Sequence, residues 1–329
     1  MTGPTRFAAL MMRLTVAALL AVVTPLAVQA REVVTIVGPL PPDSMAGTLA
    51  RTSAAFPDIE IAYRQMRSTQ IAAALRAHGR GRPDIAILST PDIAVSLTND
   101  GLAARLSTPG PGNWRGELQR LVNDPAVFVY RPDAFADTPP PRTRLGLALF
   151  LEQAPAAAFQ RVGIVNIGID SVAYALASQD SLRSPLFWRL ATAFGSTQAR
   201  IFNSEHELLD ALEAGEIDFG YNVPLSSVIA QRRDPTRLRH LFPEDYVLSL
   251  PWTLLARRDD GRQIHLDVAA YLLSAENADL IGLSALLDSR EQRTMAYQPV
   301  PLGPELLVFL DRIKRSRFLD AWFQMVTAS

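Results

Sequence analysis

Apolar residues in this chain fall into short runs split by polar turns, and the runs alternate between two periodicities. Glu32-Val33-Val34-Thr35-Ile36-Val37-Gly38 is a β-branched run stopped by glycine, which predicts a buried strand. After the loop Pro39-Leu40-Pro41-Pro42, Asp43 or Ser44 serves as N-cap of a helix reaching about Phe56. Residues 59–64 predict a second strand, and Ser68-Thr69 opens a helix that Gly79 and Gly81 end near His78. Residues 84–88 predict a third strand, and Ser89-Thr90-Pro91-Asp92 turns into another helix. Strand and helix alternating through short links predict a parallel sheet in an α/β domain.

The next strong strand is 126–130, followed by the proline-rich loop around Pro139-Pro140-Pro141. The pattern then restarts. Residues 161–165 and 199–202 predict strands, and Ile169-Asp170-Ser171 starts a helix. Ser204 with Glu207 three residues on predicts a well-capped helix to about Ala214. Residues 218–222 predict a strand leading into a loop. The extended run 246–255 is long enough to cross back, and the tail from Leu266 reads as mostly helical. Two α/β units joined by two extended crossings predict a central cleft. The expected organisation is residues 1–30 as a signal peptide, 31–128 plus 253–329 as the first lobe, and 129–252 as the second.

The leader has its own pattern. Arg6 and Arg13 precede or border the uncharged apolar run 14–23, and Ala27-Val28-Gln29-Ala30 then puts small residues before the expected cut. That run is about half of the roughly 20 residues a membrane-spanning helix needs. The mature chain is therefore expected to start near Arg31 and to work outside the cytoplasm. Its 32 basic and 33 acidic residues nearly cancel, so no bulk field points to nucleic acid. The absence of Cys excludes disulfides, thiol catalysis and thiolate metal sites. His78, His206, His240 and His265 stand outside any metal-binding spacing, and no Gly-x-Ser-x-Gly elbow or Walker loop is present. These absences count against an enzyme, and no cofactor or metal is expected.

Ligands of open α/β sheets bind beyond the carboxyl ends of the strands, near helix N-termini. Three places put hydroxyls there: Ser44, the pair Ser89 and Thr90, and Ser171. Backbone N–H groups and hydroxyls at such termini suit an anion, although each hydroxyl also serves as an ordinary helix cap. Arg64 and Arg67, near the end of the second strand, are candidate cations.

Leu88-Ser89-Thr90-Pro91-Asp92 followed by Asn99-Asp100-Gly101 resembles a segment of family 1 extracellular solute-binding proteins, in their ferric-ion and phosphosugar-binding branch. Asp124-Pro125-Ala126-Val127-Phe128, Asp170-Ser171-Val172-Ala173-Tyr174 and Gly220-Tyr221-Asn222-Val223 resemble further segments in the same order, closest to the phosphoglycerate-transport regulatory subgroup. The resemblance implies a two-lobed type II periplasmic binding protein fold, α/β with a central cleft. It implies ligand contacts from Ser89, Thr90, Ser171, Tyr221 and Asn222, with Ser44 added from its loop. It also implies a monomer that closes on a small organic or phosphorylated anion and delivers it to the membrane subunits of an ABC importer. The alternative is an adaptor that presents its closed form to a sensor histidine kinase of a two-component system. Ferric-ion binders of the family use two adjacent tyrosines; Asn222 follows Tyr221 here, so Fe(III) is disfavoured. Pro224-Leu225-Ser226-Ser227 also replaces the glycine usual in the subgroup.

Overall fold

In the computed structural model of the protein, the described residues are 31–328 apart from 80, 108–111, 154–158, 231–233, 235, 260 and 275–295. The chain divides into two compact units, Met1–Glu32 and Val33–Ser329. The expected signal peptide lies outside the described residues, and everything below concerns the second unit.

The first half is built on β1 (Glu32–Gly38), β2 (Ile59–Gln65) and β3 (Ile85–Leu88), interleaved with α1 (Pro42–Ala55), α2 (Ser68–Arg76) and α3 (Pro91–Asn99). Alternation along the strands feeds two separate cores. Val34, Ile36, Ile85 and Ile87 pack with Met45 of α1, whereas Val37, Ala86 and Leu88 pack with Ile71 and Leu75 of α2 and Val95 of α3. A strand buried on both faces needs a continuous apolar run, which is why these strands lack the alternation of a half-exposed sheet.

The long strand β4 (Leu118–Tyr130) then leaves the first half. It pairs antiparallel with β9 (Val247–Ala256) from Leu118 to Pro125, and with β7 (Phe219–Pro224) from Ala126 to Tyr130. The change of partner falls at Pro125, a residue with no N–H to donate. The second half follows as α4 (Arg144–Gln153), β5 (Val162–Val165), α5 (Ser171–Arg183), α6 (Leu186–Ser196), β6 (Arg200–Phe202), α7 (Glu205–Glu213), β7 and α8 (Leu225–Ala230). β8 (Arg239–Leu241) pairs with β4, and β9 returns to the first half.

The strand order is β2-β1-β3-β9-β4-β7-β5-β6. Read outward from the centre, the halves carry one plan twice: β9-β3-β1-β2 on one side and β4-β7-β5-β6 on the other. In each, the first strand is flanked by the second and third, and a strand from the opposite direction closes the inner edge. The repeat is one of topology and leaves no trace in residue identity. This is the two-lobed α/β architecture expected from the sequence, with β4 and β9 as the two crossings.

The remainder is α9 (Ile264–Leu272), β10 (Tyr297–Pro299) beside β9, a 3-10 helix at Pro304–Leu310 and α10 (Arg312–Val326). Leu306 joins a first-half core, whereas Trp322 and Val326 join the second-half core with Leu190 and Phe194 of α6. Gly195 permits this last contact, because a Cβ there would collide with the carbonyl oxygen of Met325.

Several local expectations are corrected. α1 starts at Pro42 with Pro41 in the cap position, so neither Asp43 nor Ser44 caps it; proline's fixed φ suits the first helical residue and moves the start forward. α2 ends at Arg76, short of His78. Residues 118–125, α4, α6 and β10 are elements that the sequence pattern does not announce. The cap expected at Ser204 is present: its Oγ accepts from Glu207 N at 3.2 Å.

Candidate functional site

The strands of both halves end at one cavity of about 370 Å³. From the first half come Pro39, Leu40 and Pro41 after β1, Gln65, Arg67 and Ser68 after β2, and Ser89 after β3. From the second come Asp170, Ser171 and Val172 at the start of α5, Ser204, Glu205 and His206 after β6, and Pro224, Ser226, Ser227 and Ala230 after β7. The crossings add Asp124 of β4 and Trp252 of β9. A doubled α/β plan produces this convergence, since each half presents the carboxyl ends of its strands and the N-termini of its helices to the same space.

The sequence-predicted residues divide into three groups. Ser89 and Ser171 line the cavity. Ser89 is buried, with its Oγ 3.4 Å from that of Ser68. Thr90 does not line the cavity; it is fully buried, and its Oγ1 lies 3.3 Å from Ser171 Oγ. Ser44 is exposed in the first turn of α1 and contributes nothing to the lining.

Tyr221 and Asn222 lie elsewhere, in a buried polar network centred on Asp180. Tyr221 donates its hydroxyl to Asp180 at 2.5 Å, and Asn222 donates its amide there at 2.9 Å. Tyr246 donates to the second oxygen of the same carboxylate. Arg144 pairs with Asp180 at 3.1 Å, and both side chains are 0% exposed. The guanidinium also donates to Tyr246 O at 2.8 Å and to Asp245 at 3.0 Å, and lies 3.7 Å from the centre of the Tyr246 ring. Burial pulls the Arg144 pKa down, but the carboxylates of Asp180 and Asp245 outweigh it and hold the value above normal. Burial and the neighbouring Asp180 push the Tyr221 hydroxyl far up, so it stays protonated. Asn222 has φ +52°, a left-handed conformation that Asn tolerates better than Tyr. The backbone at this position thus suits the residue that departs from the paired-tyrosine pattern.

Three carboxylates and an arginine shape the cavity, and none of the carboxylates is among the sequence-predicted contacts. Asp124 is buried and accepts from Ser226 N at 3.0 Å, Ser226 Oγ at 2.5 Å and Trp252 Nε1 at 3.1 Å. Burial pushes its pKa up to about 6 against those bonds. Asp170 caps α5, its Oδ1 accepting from Val172 N and Ala173 N at 2.8 Å each. Burial raises its pKa, while these bonds and Arg67 pull it down. Glu205 is partly buried, and burial together with the charge of Asp170 pushes its carboxyl up to about 8. One local signal marks Asp124: it interrupts an apolar extended run, and a carboxylate inside a crossing strand needs buried donors. Glu205 and Trp252 carry no such mark, because their position depends on how the two halves face each other.

Among the described residues, no group of three or more His, Asp or Glu side chains is placed to hold a metal ion.

No family model matches the sequence. No curated protein matches it either. Solved structures do match. The substrate-binding protein of an ABC transporter from Agrobacterium tumefaciens is 23% identical, with a TM-score of 0.81 over 91% of this chain and 96% of that one. Apo ferric ion-binding protein A from Pasteurella haemolytica is 12% identical, with a TM-score of 0.67 over 91% of this chain and 99% of that one. Iron-bound HitA from Pseudomonas aeruginosa is 16% identical, with a TM-score of 0.62 over 76% of this chain and 83% of that one. At these identities the likeness establishes the fold, and the fold is that of the two-lobed periplasmic binding proteins.

Proposed function

We propose that this chain is a periplasmic solute-binding protein that closes its two halves over a small solute and delivers it to an ABC importer. The observation that carries the reading is the cavity, walled by strand ends from both halves, with the strands β4 and β9 crossing between them. A solute that touches both walls stabilises the closed arrangement by its differential affinity for it, which is how such a hinge converts binding into shape. The Agrobacterium tumefaciens neighbour, a substrate-binding protein of an ABC transporter, agrees with this role in fold.

The residues proposed to meet the solute are Ser89 and Ser171 from the sequence reading, joined by Arg67, Ser68 and Glu205. Thr90 acts behind Ser171 through their shared hydroxyl contact. Arg67, Ser68 and Ser89 provide the surface for an organic or phosphorylated acid group, since a guanidinium binds carboxylate and phosphate through two parallel N–H donors.

Thermal unfolding against a panel of small metabolites tests the reading. A true solute at about 100 times its dissociation constant adds about 2.7 kcal/mol of stability. A shift confined to one chemical class supports the proposal; a flat response to every class removes it.

A further inference from the structure

We propose that the solute held in this cavity is a zwitterion, with an anionic group toward Arg67 and a protonated amine toward Glu205 and Asp170. This rests on the solute-binding reading and adds the charge of the solute to it.

The two walls differ in sign. The first-half lining contains the guanidinium of Arg67 and no carboxylate. The second-half lining contains Asp170 and Glu205 and no Arg or Lys. His206 stands on that wall too, with its Nε2 3.4 Å from Asp210. The third carboxylate, Asp124, belongs to a crossing strand and is fully engaged by Ser226 and Trp252.

The opposed charges are not spent on each other. Among the described residues Arg67 forms no ion pair within 4.0 Å, although its charge reaches Asp170 and Glu205. Among the described residues Glu205 likewise forms no ion pair within 4.0 Å, and one oxygen of Asp170 is taken up by the cap of α5. Filling the cavity displaces the water that solvates these groups, so the solute must replace it. A dicarboxylate would satisfy Arg67 and place negative charge against Glu205. A diamine would do the reverse. An uncharged solute would leave both walls without a counter-charge. A molecule with one charge of each sign complements both. Glu205, held up to about 8 by burial and Asp170, gives up its proton as an ammonium arrives beside it.

The test is a thermal-shift series on wild type, Arg67→Gln and Glu205→Gln with γ-aminobutyrate, glutarate and putrescine, each with longer and shorter homologues. The three classes differ in the charge of their ends. Wild type is expected to be stabilised most by the aminocarboxylates. Arg67→Gln should weaken the aminocarboxylates about tenfold and move the ranking toward diamines, and Glu205→Gln should move it toward dicarboxylates. Melting without probe establishes that each variant is folded. Dicarboxylates or diamines leading in wild type, or a ranking that neither substitution moves, would overturn the inference. Stabilisation by uncharged solutes alone would also overturn it while leaving the solute-binding reading intact; silence toward every solute would remove both.

Discussion

Thr90 Oγ1 and Ser171 Oγ stand 3.3 Å apart, joining the start of α3 in the first half to the start of α5 in the second. The contact lies beside the cavity and spans the gap that a hinge would open. It is a direct polar tie between the halves, separate from the crossing strands.

If this pair latches the closed arrangement, Thr90→Val and Ser171→Ala should each weaken solute binding by about 1 kcal/mol, the ordinary net worth of one hydrogen bond. The double variant should cost little more than either single one, because both remove the same contact. A binding titration on the three variants checks this. Fully additive losses would mean that the hydroxyls act separately on the solute.

The Arg144–Asp180 pair predicts a different kind of loss. Arg144→Met leaves a buried carboxylate without its cation, which costs about 3–5 kcal/mol. Asp180 would keep its bonds from Tyr221, Asn222 and Tyr246. Pairing Arg144→Met with Asp180→Leu should recover part of the loss, since neither charge is then stranded. Urea midpoints of the single and double variants measure both effects. An Arg144→Met protein as stable as wild type would contradict the described network.

Stability without solute should fall as pH rises from about 4, the ordinary carboxylate range, to about 8. Glu205 has a folded-state pKa raised to about 8 and Asp124 one raised to about 6, so each binds its proton more tightly in the folded state. Their contribution is full below the ordinary carboxylate range and is lost as pH climbs through those two values. The groups facing Glu205 are Asp170 and Asp124, which raise its pKa, and Arg67, which opposes them. Glu205→Gln should therefore flatten the decline, most clearly above about pH 6, and leave the part assigned to Asp124, which is complete by about pH 6. Urea midpoints at a series of pH values check the sign, and a wild-type protein that gains stability there would refute the assignment.

The elements with strong apolar runs are legible in the sequence. β1, β3 and β9 announce themselves because strands buried on both faces need uninterrupted apolar residues. The Ser204 cap is legible because it is local chemistry. Residues 118–125 are not: Gln119, Arg120, Asn123 and Asp124 break the apolar run, and only pairing with β9 makes the segment a strand. In the cavity lining, Ser89 and Ser171 are legible because helix starts after strands are visible locally. Tyr221 resembles a contact residue in isolation, whereas its hydroxyl is committed to Asp180, 41 positions away in sequence. Glu205 cannot be found in this way, since its relation to Arg67 exists only after the halves are apposed.

Closure of the two halves on a small solute in this cavity is tested most directly by small-angle X-ray scattering. Wild type is measured with and without a saturating solute from the thermal screen, alongside Ser171→Trp, designed to block the cavity with an indole. The expected result is a smaller radius of gyration on solute addition in wild type and no change in Ser171→Trp. An unchanged radius in wild type, or the same contraction in the plugged variant, would contradict closure.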